Sequence, residues 1–352
     1  MLFESRCKTK LSAAVLSLLL NGVWVSVGMG AQGLADTDPG PGFVEITPKT
    51  RLAVQRGLAY LAQAQAEDGS YGSTRFPRHV GITALACLAF MDDGHVPGRG
   101  AYGPNVRRGL DFILNHATES GLIVADASHG PMYGHGFATL FLGEVYGMTG
   151  DPRAREALLK AVRLIVTTQN PEGGWRYQPR PFDADISVTI CQVMALRSAR
   201  NAGLSVPKET IDRAIAYVRQ CQNPADGGFK YMLNSGGSAF PRSAAGVAAL
   251  YYAGVYEDEA LNKGLTYLER GADNITFRTG GHYFYGHYYA AQAMFLAGGE
   301  HWADWFPRVR EQLVTRQLAD GSWTSGHGGP YGTSMSLLIL QIPNRLLPIF
   351  QK

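Results

Sequence analysis

Residues 160–175 read KAVRLIVTTQNPEGGW. The stretch opens on a basic residue and a small one, Lys160-Ala161. Apolar Leu164 and Ile165 follow at the three- and four-residue spacing of one helical face. Gln169 ends the periodic part. Gly173 and Gly174 then supply a turn in which a left-handed backbone costs nothing, and Trp175 is placed to pack back on the helix just finished. Read from Ala154 to Thr168, the pattern predicts an amphipathic helix closed by a glycine turn and an aromatic plug.

The same string recurs along the chain. It begins at Arg56-Gly57, Arg108-Gly109, Lys160-Ala161, Arg213-Ala214, Lys263-Gly264 and Arg308-Val309. Its closing Gln, replaced twice by Ala, falls at 65, 117, 169, 222, 272 and 317, in steps of 52, 52, 53, 50 and 45 residues. Four copies carry the glycine turn and aromatic: Asp68-Gly69-Ser70-Tyr71, Glu172-Gly173-Gly174-Trp175, Asp226-Gly227-Gly228-Phe229 and Asp320-Gly321-Ser322-Trp323. One phase held through six copies makes these turns architectural. The Gln amide is suited to bond the orphan backbone groups of a neighbouring helix end.

Each turn is followed by an apolar run rich in small residues, such as GITALACLAFM from Gly81 and SAAGVAALYYAG from Ser243. These runs lack a wide polar face, so they are expected to be buried on most sides. Each repeat is therefore one outer amphipathic helix and one inner apolar helix, with inner helices starting near 80, 134, 184, 243, 286 and 332. A single pair cannot bury its inner helix. Six pairs closing into a ring can, so the expected fold is all-α: an α/α toroid of about twelve helices spanning residues 51–345, with 346–352 as a C-terminal tail. An open superhelix is the alternative.

Composition agrees. Of 352 residues 45% are hydrophobic and 17% charged, and the formal net charge is +3. That excludes a disordered chain, and the absence of a basic run gives no nucleic-acid face. Arg6, Lys8 and Lys10, then an apolar run from Leu11 to Met29, then small residues to Ala35 give the order of a secretory signal. Residues 1–35 are read as a signal peptide, with an uncleaved membrane anchor as the alternative, and 36–50 as a Pro/Gly linker. The expected location is exported, periplasmic or extracellular, with membrane-surface contact allowed. Cys87, Cys191 and Cys221 are widely spaced and read as small buried hydrophobes.

The string Arg56-Gly57 to Tyr71, and more closely Lys160 to Trp175 and Arg308 to Trp323, resembles the QW repeat of squalene and terpenoid cyclases. The β subunits of protein prenyltransferases share its helical pairs. The resemblance covers roughly residues 50–345 and implies a six-pair α/α toroid. Asp183-Ala184-Asp185-Ile186 resembles the cyclases' Asp-x-Asp-Asp run, with Asp185 at the position of the protonating residue, Asp183 as its neighbour and Ile186 in place of the last Asp. The resemblance implies an acid-initiated reaction on an apolar isoprenoid or lipid, with no cofactor. A zinc prenyltransferase is excluded, because its Asp-x-Cys is Arg242-Ser243-Ala244 here and His287 stands one position off the family His. No metal site is expected.

HVGITALACLAFMDDG from His79 matches HGFATLFLGEVYGMTG from His135 without a gap, which sets a common register for the inner helices. The register extends to a ring of His79, His135, Ser187, Ser243, His287 and Thr333. Two residues earlier it gives Pro77, Tyr133, Asp185, Pro241, Tyr285 and Tyr331. The candidate catalytic residues are thus Asp185 and Asp183, and the candidate substrate-binding residues His79, Tyr133, His135, Tyr285, His287 and Tyr331, all expected at one opening of an apolar cavity. Two other readings use the same fold. One is a catalytically silent toroid that binds a lipid or protein. The other is a toroidal polysaccharide lyase, which would use Arg176, Lys230, Arg242 and Arg278 near the turns.

Overall fold

The computed structural model describes residues 45–127, 130–271 and 282–351. The signal segment, most of the linker, Cys7 and Arg278 lie outside the described residues. Chain contacts divide the protein into residues 1–38 and residues 39–352, and only the second unit is described below.

Twelve α-helices, and no strand among the described residues, make up this unit. The outer helices are α1 (Pro48–Ala64), α3 (Gly103–Asn115), α5 (Pro152–Thr167), α7 (Lys208–Cys221), α9 (Glu259–Gly271) and α11 (Gly299–Arg316). The inner ones are α2 (Val80–Met91), α4 (Met132–Thr149), α6 (Ile186–Asn201), α8 (Phe240–Tyr252), α10 (Tyr283–Ala297) and α12 (Gly329–Gln341). The expected inner starts are met to within three residues. α1 begins inside the expected linker because Pro48 suits the first helical position and the Thr47 hydroxyl accepts the Thr50 N–H at 3.1 Å.

The six inner helices pack in succession, and α12 returns to α2, so the ring is closed. Every residue of α2 is buried, as its unbroken apolarity requires. α3, α5, α9 and α11 pack chiefly on the inner helix before them, α7 on α6 and α8, and α1 on α12. Cys87, Cys191 and Cys221 are free and buried.

The repeat string is what joins neighbours. Gln65 Nε2 donates to Gly69 O of its own turn (3.0 Å) and to Asn105 O of α3 (2.9 Å). Gln169 does the same to Gly173 O and Thr210 O, and Gln222 to Gly227 O and Ala260 O. Gln317 reaches Gly321 O and Ala53 O, which joins the last outer helix to the first. These acceptors lie near the starts of the next outer helices, whose carbonyls are already used within the helix, so the amide adds a second bond rather than filling an orphan. The basic residue points the other way: Arg56 donates to Leu318 O (2.8 Å) and Ala319 O (3.0 Å) across the closure.

The turn glycines are required twice over. Gly321 has φ +90°, and a Cβ there would stand 2.5 Å from Arg56 O. Gly69, Gly173 and Gly227 meet the next repeat's backbone in the same way. Gly150 also has positive φ (+70°) but nothing within 4 Å of its Cβ position. Gly150→Ala should therefore cost about 1 kcal/mol of strain, and Gly321→Ala roughly 3 kcal/mol of strain plus clash. Chemical denaturation of the two variants checks this, and equal losses would show that the closure contact carries no energy.

The C-terminal segment is no loose tail. Leu347, Ile349 and Phe350 are buried, and the Ile349 N–H donates to Glu144 Oε2 (3.1 Å) at the end of the ring where the inner helices finish.

Candidate functional site

Two helical levels near the inner N-termini have opposite duties. At the first, a short polar side chain points outward and accepts the backbone N–H of the turn. Thr83 accepts from Tyr71 (2.9 Å), His135 Nδ1 from Ile123 (3.2 Å), Thr189 from Trp175 (3.1 Å), Ser243 from Phe229 (2.8 Å) and Thr333 from Trp323 (3.1 Å). His287 occupies this register in α10. It is sealed among Phe240, Tyr283 and Trp305, the last on an outer helix.

Two residues along a helix is a rotation of about 200°, so the residues two earlier face the axis. Gly81, Tyr133, Tyr285 and Tyr331 stand there and line a cavity of about 250 Å³. Ser187 shares their level, and its carbonyl accepts the Tyr285 hydroxyl at 3.0 Å. Ile82, Leu85 and Phe137 supply further apolar wall, and Phe76, Tyr177, His282 and His327 enter from the loops.

The structure thus brings four of the expected residues together: His79, Tyr133, Tyr285 and Tyr331. His135 and His287 are not at the opening. They are fully buried on the outward side, and burial pushes their imidazoles down to about 4 and about 3. The ring register needs correction in two repeats, with Thr83 in place of His79 and Thr189 in place of Ser187 at the outward level. At the inward level Gly81 replaces Pro77 and Ser187 replaces Asp185.

His79 and Asp185 are equivalent residues of another kind. Each stands four before the outward hydroxyl and caps its inner helix. His79 Nδ1 accepts from Gly81 N (3.1 Å) and Ile82 N (3.4 Å). Asp185 Oδ1 accepts from Ser187 N (2.9 Å) and Val188 N (3.0 Å). Burial holds the His79 ring down to about 4. Asp185 is wholly buried, and desolvation lifts its carboxyl to about 6 against the opposing pull of the two amides and Arg176.

Asp185 is not among the cavity-lining residues, but it is linked to them. Its Oδ2 lies 3.8 Å from Arg176 Nε, and the Tyr231 hydroxyl is close enough to favour its charged form. Tyr231 hydrogen-bonds Tyr177, and Tyr177 lines the cavity. Asp183 is half exposed and pairs with Arg176, whose guanidinium lies over the Tyr177 and Tyr231 rings at 5.2 and 6.0 Å. Tyr177 and Tyr231 were legible as a repeated pair, Trp175-x-Tyr177 and Phe229-x-Tyr231, one step past the turn aromatics. His282 and His327 carry no such signal. Among the described residues no group of three or more His, Cys, Asp or Glu is placed to hold a metal ion.

Comparison with known proteins agrees with this architecture. The fold is an α/α toroid. The cellobiose 2-epimerase of Spirochaeta thermophila superposes with a TM-score of 0.65 at 14% identity, covering 85% of this chain and 98% of its own. The α-1,6-mannanase GH76A of Salegentibacter gives 0.63 at 10% identity over 84% and 99%. The type II terpene cyclase MstE of Scytonema gives 0.58 at 14% identity over 85% and 99%. In sequence, the drimenyl diphosphate synthase of Streptomyces showdoensis is 26% identical over 185 residues, which is 51% of this chain and 32% of that protein. The chain therefore matches about a third of that synthase's length. No family model matches the chain.

Proposed function

We propose that this toroid binds an apolar isoprenoid or lipid-like molecule in the tyrosine-walled cavity and acts on it as a terpene-cyclase-like enzyme, with Asp185 as the acid. The observation that carries the reading is the inward level itself. Three tyrosines stand at one height around an apolar cavity, and a fourth, Tyr177, is hydrogen-bonded to Tyr231, which lies near a buried carboxyl with a raised pKa. Aromatic faces stabilise positive charge developing on a hydrocarbon. A carboxyl that titrates near 6 is protonated often enough to give its proton up.

The Asp185 carboxyl is sealed, so the proton travels by relay. Asp185 gives its proton to the Tyr231 oxygen while Tyr231 passes its own to Tyr177. Tyr177 then protonates the substrate alkene. The alkene's electron pair forms the new C–H bond, a carbocation is left under the tyrosines, and the negative charge rests on Asp185 beside Arg176.

The sequence likeness to drimenyl diphosphate synthase and the shared fold of MstE support an isoprenoid. The shared fold of the epimerase and mannanase supports a sugar instead, and His79, His282 and His327 at the cavity would serve it. Mass spectrometry of a lipid extract of the purified protein separates the two. A bound isoprenoid or lipid is the expected result, and a bound oligosaccharide would overturn it.

Export through residues 1–35 belongs to the same proposal. No helix among the described residues is long and apolar enough to cross a membrane. Deleting 1–35 should confine a folded protein to the cytoplasm. Mature protein recovered from membranes with its original N-terminus would support the anchor instead.

A further inference from the structure

The cavity's electrostatics narrow the ligand class, on the premise that the cavity takes an apolar molecule as argued above. Among its described lining residues there is no Lys, Arg, Asp or Glu. The guanidinium behind the Tyr177 wall, Arg176, is engaged by Asp183 and lies beside Asp185. An anionic head drawn into this space would lose its hydration and meet no Lys or Arg among the described lining residues, which is the costly way to bury an ion.

His79 provides something else. A ring nitrogen that accepts two backbone N–H groups carries no proton, so the proton of the neutral ring is on Nε2. That nitrogen has no partner among the described residues, yet it is not one of the sealed polar atoms. His79 lines the cavity, and burial, opposed by the nearby Asp126 carboxylate and aided by His327, keeps its ring neutral. The cap therefore fixes a donor whose orientation is set by the start of α2. Ile82, Leu85 and Phe137 offer the rest of the ligand no hydrogen bond.

We propose that the ligand is an uncharged isoprenoid bearing one oxygen acceptor, such as an alcohol, ether or carbonyl, anchored by a hydrogen bond from His79 Nε2, and that a diphosphate or carboxylate is excluded.

The test is a titration of the purified full chain at pH 8, followed by intrinsic fluorescence and calorimetry, with farnesol, farnesene and farnesyl diphosphate as probes. Farnesol should bind at least a hundredfold more tightly than the diphosphate. His79→Phe should weaken farnesol about tenfold, the worth of one hydrogen bond, and leave farnesene unchanged. His79→Asn keeps a cap acceptor and serves if the Phe variant does not fold. Diphosphate binding equal to or tighter than farnesol overturns this inference while leaving the isoprenoid reading intact. An unchanged farnesol affinity in the His79 variant overturns the anchor. Failure of all three probes to bind overturns the apolar-ligand reading and this inference together.

Discussion

Asp185→Asn should abolish turnover of an isoprenoid by a factor on the order of 10²–10⁴, the range a positioned general acid supplies, and leave the fold close to its original stability. The two oxygens of this carboxyl do separate work. Oδ1 holds the Ser187 and Val188 amides and caps α6, whereas Oδ2 has no hydrogen-bond partner among the described residues and is the oxygen left open to a proton in the proposed mechanism. Asn caps nearly as well as Asp, so this variant removes the acid and keeps the cap. Asp185→Ala removes both and should cost a further ~1 kcal/mol or more. Because the carboxyl titrates near 6 and acts when protonated, activity should be highest below pH 6 and fall about tenfold per unit well above it. Product analysis by mass spectrometry across pH 5–9 reads this directly. If Asp185→Asn turns over normally while Asp185→Ala merely melts earlier, the residue is a helix cap and nothing more.

Tyr177→Phe and Tyr231→Phe distinguish the relay from direct transfer. Each breaks the chain of hydroxyls between Asp185 and the cavity without moving the carboxyl. Both should lose most of the activity, and the Tyr231 variant should also raise the Asp185 pKa, since its hydroxyl favours the charged form. Infrared titration of the carboxyl measures that shift whether or not a substrate is known. Full activity in both variants would show that the proton takes another route.

The repeat was legible because the physics behind it is local. A Gln, a left-handed glycine and a plug aromatic sit within about ten residues of one another, and each copy carries the same strain and the same bonds. The register across the ring was less legible because it is set by a long-range contact. From the turn residue to the outward hydroxyl is 12 residues for Tyr71–Thr83 but 14 for Trp175–Thr189 and 10 for Trp323–Thr333. Loop length absorbs the difference, so matching helix ends could not reveal it. The gap-free match of His79 with His135 paired a cap with an outward acceptor one turn away. Both are histidines in front of an apolar helix, and only the partner of each ring nitrogen tells them apart. Tyr133, Tyr285 and Tyr331 stand at the inward level because the alignment of their repeats carried no such shift.

His287→Phe should flatten the acid limb of the stability curve. Its ring is sealed among Phe240, Tyr283 and Trp305, with both nitrogens lacking a hydrogen-bond partner among the described residues. Burial, with a small push from Arg316, sets the folded pKa at about 3 against 6.5 in the open chain. A depressed histidine pKa means that the unfolded chain binds the proton first. The stability this residue contributes is therefore complete above pH 6.5 and drains away as the pH falls from 6.5 toward 3. At about 1.4 kcal/mol per unit, roughly 3 kcal/mol is gone by pH 4. His135 and His79 add similar losses down to about 4. Raised carboxyls oppose them, and burial lifts Asp92 and Asp93 as well as the two that follow. Glu144 is raised to about 7 beneath the C-terminal segment, and Asp185 to about 6, so the folded state takes up their protons first and gains as the pH falls. The wild-type profile is the sum of these slopes and can look nearly flat. The difference between wild type and His287→Phe isolates one term, because the carboxyls, His79 and His135 are common to both. Urea melts at pH 7 and pH 4 should show wild type losing about 3 kcal/mol more than the variant. Parallel losses would mean that His287 is solvated or already charged in the folded protein, and that the outward level is not sealed at α10.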